Sequence, residues 1–261
     1  MKFFLRLLLG SLGLSATCWL AGCTVYAPMQ PTVSGIRAVG EAEIGASIQG
    51  SGRAEASAVV SPAPGFLLAG AVTYRPRLER NKTYFTTRQW EAAAGAYVPI
   101  GPRWVISGLG GYGYASTDRI WGELLGNSPD LHARYAKYFG QFCLHYGTKD
   151  DGAGLVIRVS QLKFDELSFY SPYYSGQVQM QDMWRHELLI YGRPVFGNRA
   201  SSRWATMLQG SVGVSLSSKK PLDDQTPGYS EYNRNIQPVL LGSLGLGFAR
   251  RVRQPPVTAP H

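Results

Sequence analysis

WATMLQGSVGVSL, the stretch from Trp204 to Leu216, decides how this chain is read. Trp204, Leu208, Val212, Val214 and Leu216 share one parity with Thr206 and Gly210. Ala205, Gln209, Ser211, Gly213 and Ser215 take the other, with Met207 as the exception. Side chains that alternate with a period of two belong to a strand separating two environments. The segment from Ile236 to Phe248 repeats the pattern, with Ile236, Leu240, Leu244, Leu246 and Phe248 against Gln237, Ser243, Gly245 and Gly247. Working back along the chain, similar alternation predicts strands near 183–194, 153–164, 132–146, 103–115, 87–99, 66–75, 53–61 and 40–49. The expectation is an all-β, antiparallel, up-and-down transmembrane barrel of about ten strands, with eight to twelve allowed, and the even count suits a bacterial single-chain barrel. No helical period is evident after Cys23.

The polar parity carries charge. Glu41, Glu43, Glu55, Glu91, Arg158, Arg185 and Glu187 are isolated among small residues or spaced two apart, so they share the inward face. Small barrels are nearly filled by their own side chains, and a mutually neutralising lumen network is therefore expected rather than a wide channel. Trp90, Trp104, Trp184, Trp204 and Tyr138 fall near strand ends, as interfacial girdle residues do.

The connections alternate in length. Short links at 62–65, 100–102, 147–152 and 196–201 alternate with long ones at 76–86, 116–131, 165–182 and 217–235. Only Gly50–Gly52 breaks the scheme, being short where a long loop is due. Outer-membrane barrels keep short turns on the periplasmic side and long loops outside, so both ends of the barrel are expected on the periplasmic side.

The amino terminus reads as an export signal. Lys2 and Arg6 precede an apolar stretch from Leu7 to Leu20, which is shorter than the roughly 20 residues of a spanning helix. Leu20-Ala21-Gly22-Cys23 follows, and on these residues the chain resembles a bacterial lipoprotein. The resemblance implies that residues 1–22 are removed and that Cys23 carries diacylglycerol and palmitate. It also implies an acylated segment over 23–39 anchored on the periplasmic side, because no acidic surface-export motif follows the Cys. The barrel domain is expected over 40–250 and a Pro-rich tail over 251–261. With Tyr26-Ala27-Pro28 ahead of a first strand Gly40-Glu41-Ala42-Glu43-Ile44, the chain from Cys23 to about Arg250 is similar to small, lipid-anchored outer-membrane barrels of Gram-negative bacteria.

Composition bounds the partners. The formal charge of +9 falls to +7 when Lys2 and Arg6 are removed, and the remaining basic residues are scattered, which argues against nucleic acid. Outer-membrane lipids are the expected partner. Of three cysteines only Cys143 stays free, so there is no disulfide framework, and no cofactor or metal is expected. Tyr170, Tyr173, Tyr174, Tyr229 and Tyr232 in the long loops are candidates for binding an extracellular protein or glycan. His145 and His186 are the candidates for lipid hydrolysis, but His186 falls on the lipid-facing parity with no Ser within two residues and His145 lies near the inferred periplasmic rim, so a non-enzymatic structural or surface-interaction role is expected. Two alternatives stay open: a narrow channel for small solutes through the charged lumen, and a lipid-modifying enzyme.

Overall fold

A computed structural model of the chain describes residues 24–76, 84–120, 130–147, 151–170, 175–196, 204–223 and 229–250. Ten long strands form the staves of one barrel: β1 (Ala42–Gln49), β2 (Ala54–Val60), β3 (Phe66–Arg75), β4 (Tyr84–Ile100), β5 (Trp104–Ile120), β6 (Asp130–Gly147), β7 (Gly152–Tyr170), β9 (Asp182–Arg193), β11 (Trp204–Ser217) and β12 (Val239–Arg250). Two spurs, β8 (Ser175–Gln177) and β10 (Val195–Phe196), pair with β7 and β11 at opposite rims. Each stave is antiparallel to its neighbours, and β1 pairs with β12 over eight residues, from Ala42↔Arg250 to Gln49↔Ser243. The sheet is closed, with no long edge left to template another chain.

The registers fix the shape. Followed in one direction, Ala42 leads through Val60, Leu68, Ala94, Gly110, Gly140, Val159 and His186 to Leu216. Followed in the other, it leads through Arg250 to Trp204, so closure is staggered by the twelve residues separating Trp204 from Leu216. With a strand rise of about 3.3 Å and a spacing of about 4.7 Å, ten strands at this stagger tilt by about 40° and enclose a backbone cylinder about 10 Å in radius. Wall side chains alone do not fill so wide a bore.

The alternation sorts the two faces. Outward positions include Ile44 and Ile48 on β1, Ala54, Ala56, Ala58 and Val60 on β2, and Ala92, Ala94, Ala96 and Val98 on β4. Phe142, Ile157, Leu188, Ile190, Leu244 and Leu246 continue the belt. Aromatic rings bound it above and below. Trp104 lies against Tyr146 with centroids 4.7 Å apart, and eight residues further along the same two strands Tyr112 lies against Tyr138 at 5.1 Å and Trp90 at 5.6 Å. At the tilt above, eight residues advance about 20 Å along the axis, near the roughly 25 Å of an outer-membrane barrel's apolar band. Between these rings no outward position of any stave is charged.

Three expectations need correction. The segment expected ahead of the barrel is part of its interior: residues 24–36 lie inside the bore. The expected strand over 236–248 begins only at Val239, because Tyr229–Ile236 form a helix, α1, where no helical period is evident in the sequence. Finally, β5, β6 and β7 run on to Ile120, from Asp130 and to Tyr170, so much of the two loops expected at 116–131 and 165–182 is extended wall. The wall is tall at β4–β7, with strands of 17 to 19 residues, and low at β1–β3, with strands of 8, 7 and 10. The short Gly50–Gly52 link is the tip of that low side.

Candidate functional site: the lumen and the segment inside it

Thr24 to Ile36 enters at the loop rim and leaves at the turn rim. Thr24 Oγ1 donates to Asn235 O at 3.1 Å, and the Arg119 guanidinium donates to Thr24 O at 3.2 Å; both partners belong to the loop end. Val25 packs with Leu131, Ala133, Leu167 and Ile236. Below it, Gln89 Nε2 donates to Ala27 O at 2.7 Å, and Arg53 Nη2 donates to Pro28 O, also at 2.7 Å. Further down, Gln30 N donates to Glu55 at 3.1 Å, and Gln141 Nε2 donates to Thr32 O at 2.8 Å. Val33 sits among Cys143, Val156, Leu189 and Tyr191, and Ile36 among Val59, Leu67, Tyr97 and Val105. At the turn rim the Arg37 guanidinium donates to Gly101 O at 3.3 Å and Gly147 O at 3.0 Å.

These contacts answer a requirement. An extended segment outside any sheet carries backbone donors and acceptors that must be satisfied when buried. Pro28 and Pro31 remove two donors outright. The wall serves several others through Gln49, Gln89, Gln141, Arg53, Glu55 and Glu43, whose carboxylate accepts from Gly35 N at 3.3 Å. No residue from Thr24 to Ile36 is charged, so the segment brings no ionic desolvation cost into the bore.

The seven charged residues expected in the lumen all lie there, buried. Glu91 on β4 accepts from Arg158 Nη1 on β7 at 3.0 Å and is paired with Lys137 on β6. Arg158 also donates to Gln141 Oε1 through Nε at 3.1 Å and Nη2 at 2.7 Å, and its guanidinium lies 4.4 Å from the Phe139 ring centroid. Glu43 meets Arg193 at 2.8 Å, Glu187 accepts from the Tyr26 hydroxyl, and Arg185 donates to Gln237 O at 2.8 Å. Glu41 accepts from Arg37 N at 2.8 Å and Ala38 N at 3.2 Å, tying the end of the inserted segment to the wall. The charges are partitioned: Glu41, Glu43, Glu55 and Glu91 occupy the β1–β4 side, and Lys137, Arg158, Arg185 and Arg193 the β6–β9 side. Arg53 and Glu187 are each placed among the opposite sign. Buried acids and bases of the wall balance at five each.

Parity alone placed all five acids on the inward face, with Arg158 and Arg185 among the five bases; Lys137, Arg193 and the inserted segment were not anticipated. A usable signal was present in the inward Gln49, Gln89 and Gln141, which have no reason to line a barrel whose charges neutralise one another unless a backbone needs donors.

The tyrosines divide. Tyr170 is exposed on the tall wall. Tyr232 is buried in α1 against the mouth of the bore, contrary to its expected surface role. Tyr173, Tyr174 and Cys23 lie outside the described residues, as does the side chain of Tyr229. Beside Tyr232 a cleft of about 680 Å³ opens between Phe164, Glu166, Met180 and Lys219. His145 faces inward, not to any exposed groove: its Nδ1 is 2.8 Å from the Tyr191 hydroxyl, which also lies 3.4 Å from Cys143 Sγ. His186 is on the outward face. Among the described residues no group of His, Cys, Asp and Glu could hold a metal ion.

The fold is an all-β, closed antiparallel barrel of ten staves with an apolar outer belt. Among solved structures the chain is similar to the translocator domain of the autotransporter NalP from Neisseria meningitidis, at 10% identity over 81% of this chain and 86% of that one, with a TM-score of 0.44. It is also similar to the KdgM porin, at 10% identity over 82% of this chain and 99% of that one, with a TM-score of 0.30. A bacterial polysaccharide outer membrane secretin is similar at 8% identity over 82% of this chain and 98% of that one, with a TM-score of 0.24. No protein-family model matches the chain. No curated protein matches it.

Proposed function

We propose that this protein is a self-plugged outer-membrane barrel, acylated at Cys23, whose role is structural or lies in surface interaction rather than in transport or catalysis. The observation that carries the reading is a lumen already occupied from rim to rim by residues 24–36, inside a wall whose outward belt holds no charge between its aromatic rings. A hydrocarbon-facing belt and an interior occupied by the protein's own segment together favour a bilayer-spanning body that conducts nothing at rest. The tall β4–β7 wall and the cleft beside Tyr232 form the surface most suited to a protein or glycan partner. His145 is buried in the lumen wall with its Nδ1 2.8 Å from the Tyr191 hydroxyl, which favours a structural role for it over a catalytic one.

Purified protein in planar bilayers tests the reading. The intact chain is expected to remain silent at all voltages, to migrate faster on gels unboiled than boiled, and to incorporate labelled palmitate that Cys23→Ser abolishes. Steady conductance of the intact chain would overturn the plugged reading in favour of a small-solute channel. Altered lipid A or phospholipid on overexpression, lost in His145→Ala, would replace it with the enzyme.

A further inference from the structure

The two ends of the described chain leave the barrel at opposite rims. Ala42 and Arg250, the first and last stave positions, are paired partners at the turn rim. Thr24 is held at the loop rim by Asn235 and Arg119. The notion that lipid and barrel ends agree in placing both termini in the periplasm therefore fails: the turn-rim position of β1 says nothing about Cys23, because the intervening residues cross the bore.

We infer that the acylated Cys23 is displayed on the outer face of the membrane, carried there through the barrel's own lumen, and that its acyl chains enter the outer leaflet. The inference rests on the acylation proposed above. Cys23 is one residue from Thr24, a reach of about 3.8 Å, whereas the inner leaflet lies beyond an apolar band about 25 Å tall. Residues 24–36 already occupy the bore along its length, so a return of the same chain would have to pass beside them. Acyl chains leaving the mouth meet the lowest wall on the β1–β2 side, where Pro28 lies against Gln49 and Arg53. The long walls of β4–β7 stand on the opposite side. An acidic sorting motif after the Cys is unnecessary on this arrangement, because the address is written in the wall residues that grip the segment.

Two tagged versions of the full chain test this in whole cells. One carries an epitope between Cys23 and Thr24, the other an epitope after His261, and both are checked for palmitate incorporation and for the migration shift of a closed barrel. The first is expected to bind antibody equally in intact and permeabilised cells, and the second only after permeabilisation. Palmitate incorporation with the first epitope hidden until permeabilisation would overturn the inference while leaving the anchored barrel standing. Loss of palmitate incorporation in the untagged chain would remove the acylation reading itself, and this inference with it. To guard against displacement of the segment by the tag, Gln89→Leu and Arg53→Met, which remove donors to Ala27 and Pro28, are combined in the first version. Exposure of the first epitope in intact cells is then expected to fall at least several-fold, and unchanged exposure would show that the lumen does not set the address.

Discussion

The sharpest test of the lumen is the asymmetry of the Glu91 cluster. One carboxylate, 4% exposed, faces two cations: Arg158 at 1% and Lys137 at 2%. Removing the anion strands both cations in the bore, whereas removing one cation leaves a matched pair. Taking a partner from a buried ion pair costs about 3–5 kcal/mol. Glu91→Gln keeps the shape and one acceptor, so a loss of about 3 kcal/mol, roughly a hundredfold in the unfolding equilibrium, is the expected minimum. Lys137→Met fills the same volume with an apolar stem and leaves Glu91 with Arg158, which Gln141 also holds. Its cost is expected to stay below about 1 kcal/mol. In the double variant Lys137→Met is expected to recover part of the Glu91→Gln loss, since one stranded cation has gone. The assay is urea unfolding of the barrel in lipid vesicles, followed by Trp fluorescence. Equal losses for the two single variants, or an additive double variant, would refute the claim that Glu91 is shared between two buried cations.

Three further outcomes follow from the contacts of the lumen and the belt. Deleting residues 24–36 is expected to leave a closed barrel by the migration-shift criterion but to open a steady conductance absent from the intact chain; silence would mean that another element closes the bore. Tyr26→Phe removes the hydroxyl donated to Glu187 while keeping the ring near Tyr135 at 6.2 Å and under the Arg185 guanidinium at 5.0 Å. A loss of about 1.5–3 kcal/mol in vesicle unfolding is expected, the range for hydrogen bonds to charged groups, and a neutral result would deny the bond. Ala94→Arg, outward in the middle of the belt, is expected to cost about 2–4 kcal/mol, while Ala54→Arg at the low hairpin tip costs at most about 1, so equal costs would misplace the bilayer.

How much was legible depended on which solvent a residue faces. Trp204–Leu216 and Ile44–Ile48 gave themselves away because hydrocarbon on one side and polar atoms on the other impose a strict period of two. Glu43, Glu91 and Arg185 were legible as inward for the same reason, since parity alone decides the face of a strand. Their partners were not, because Glu91 reaches Arg158 three staves away, and nothing local in sequence reports a stagger of twelve. The helix Tyr229–Ile236 is two turns long and half polar, too short for its period to rise above the neighbouring strand pattern. The inserted segment was the largest omission. Thr24–Ile36 has no alternation to read, and a leader ahead of the first strand is ordinarily exposed; only its freedom from charge and its two prolines set it apart from a solvated linker.

The same feature explains why the bore holds polypeptide instead of a wide column of water. Five buried acids and five buried bases cancel in net charge within the wall, so no excess of one sign draws counter-ions in, and the acidic and basic sides can approach each other only by reaching around what lies between them. A neutral extended backbone suits that gap: its carbonyls accept from Gln89, Gln141 and Arg53, and its amides donate to Glu43 and Glu55. A charged segment would have upset the balance, and an all-apolar one would have lost the Tyr26 hydroxyl bonded to Glu187 and the Gln30 amide oxygen bonded to Ser47 and Ser243. The segment that fits is one with frequent prolines, few exposed donors and small or apolar side chains, which describes Thr24 to Ile36. Because those contacts bind main-chain atoms, single side-chain changes at Thr32 or Ser34 should loosen the segment far less than loss of one wall amide, and the grip belongs to the barrel rather than to the sequence it holds.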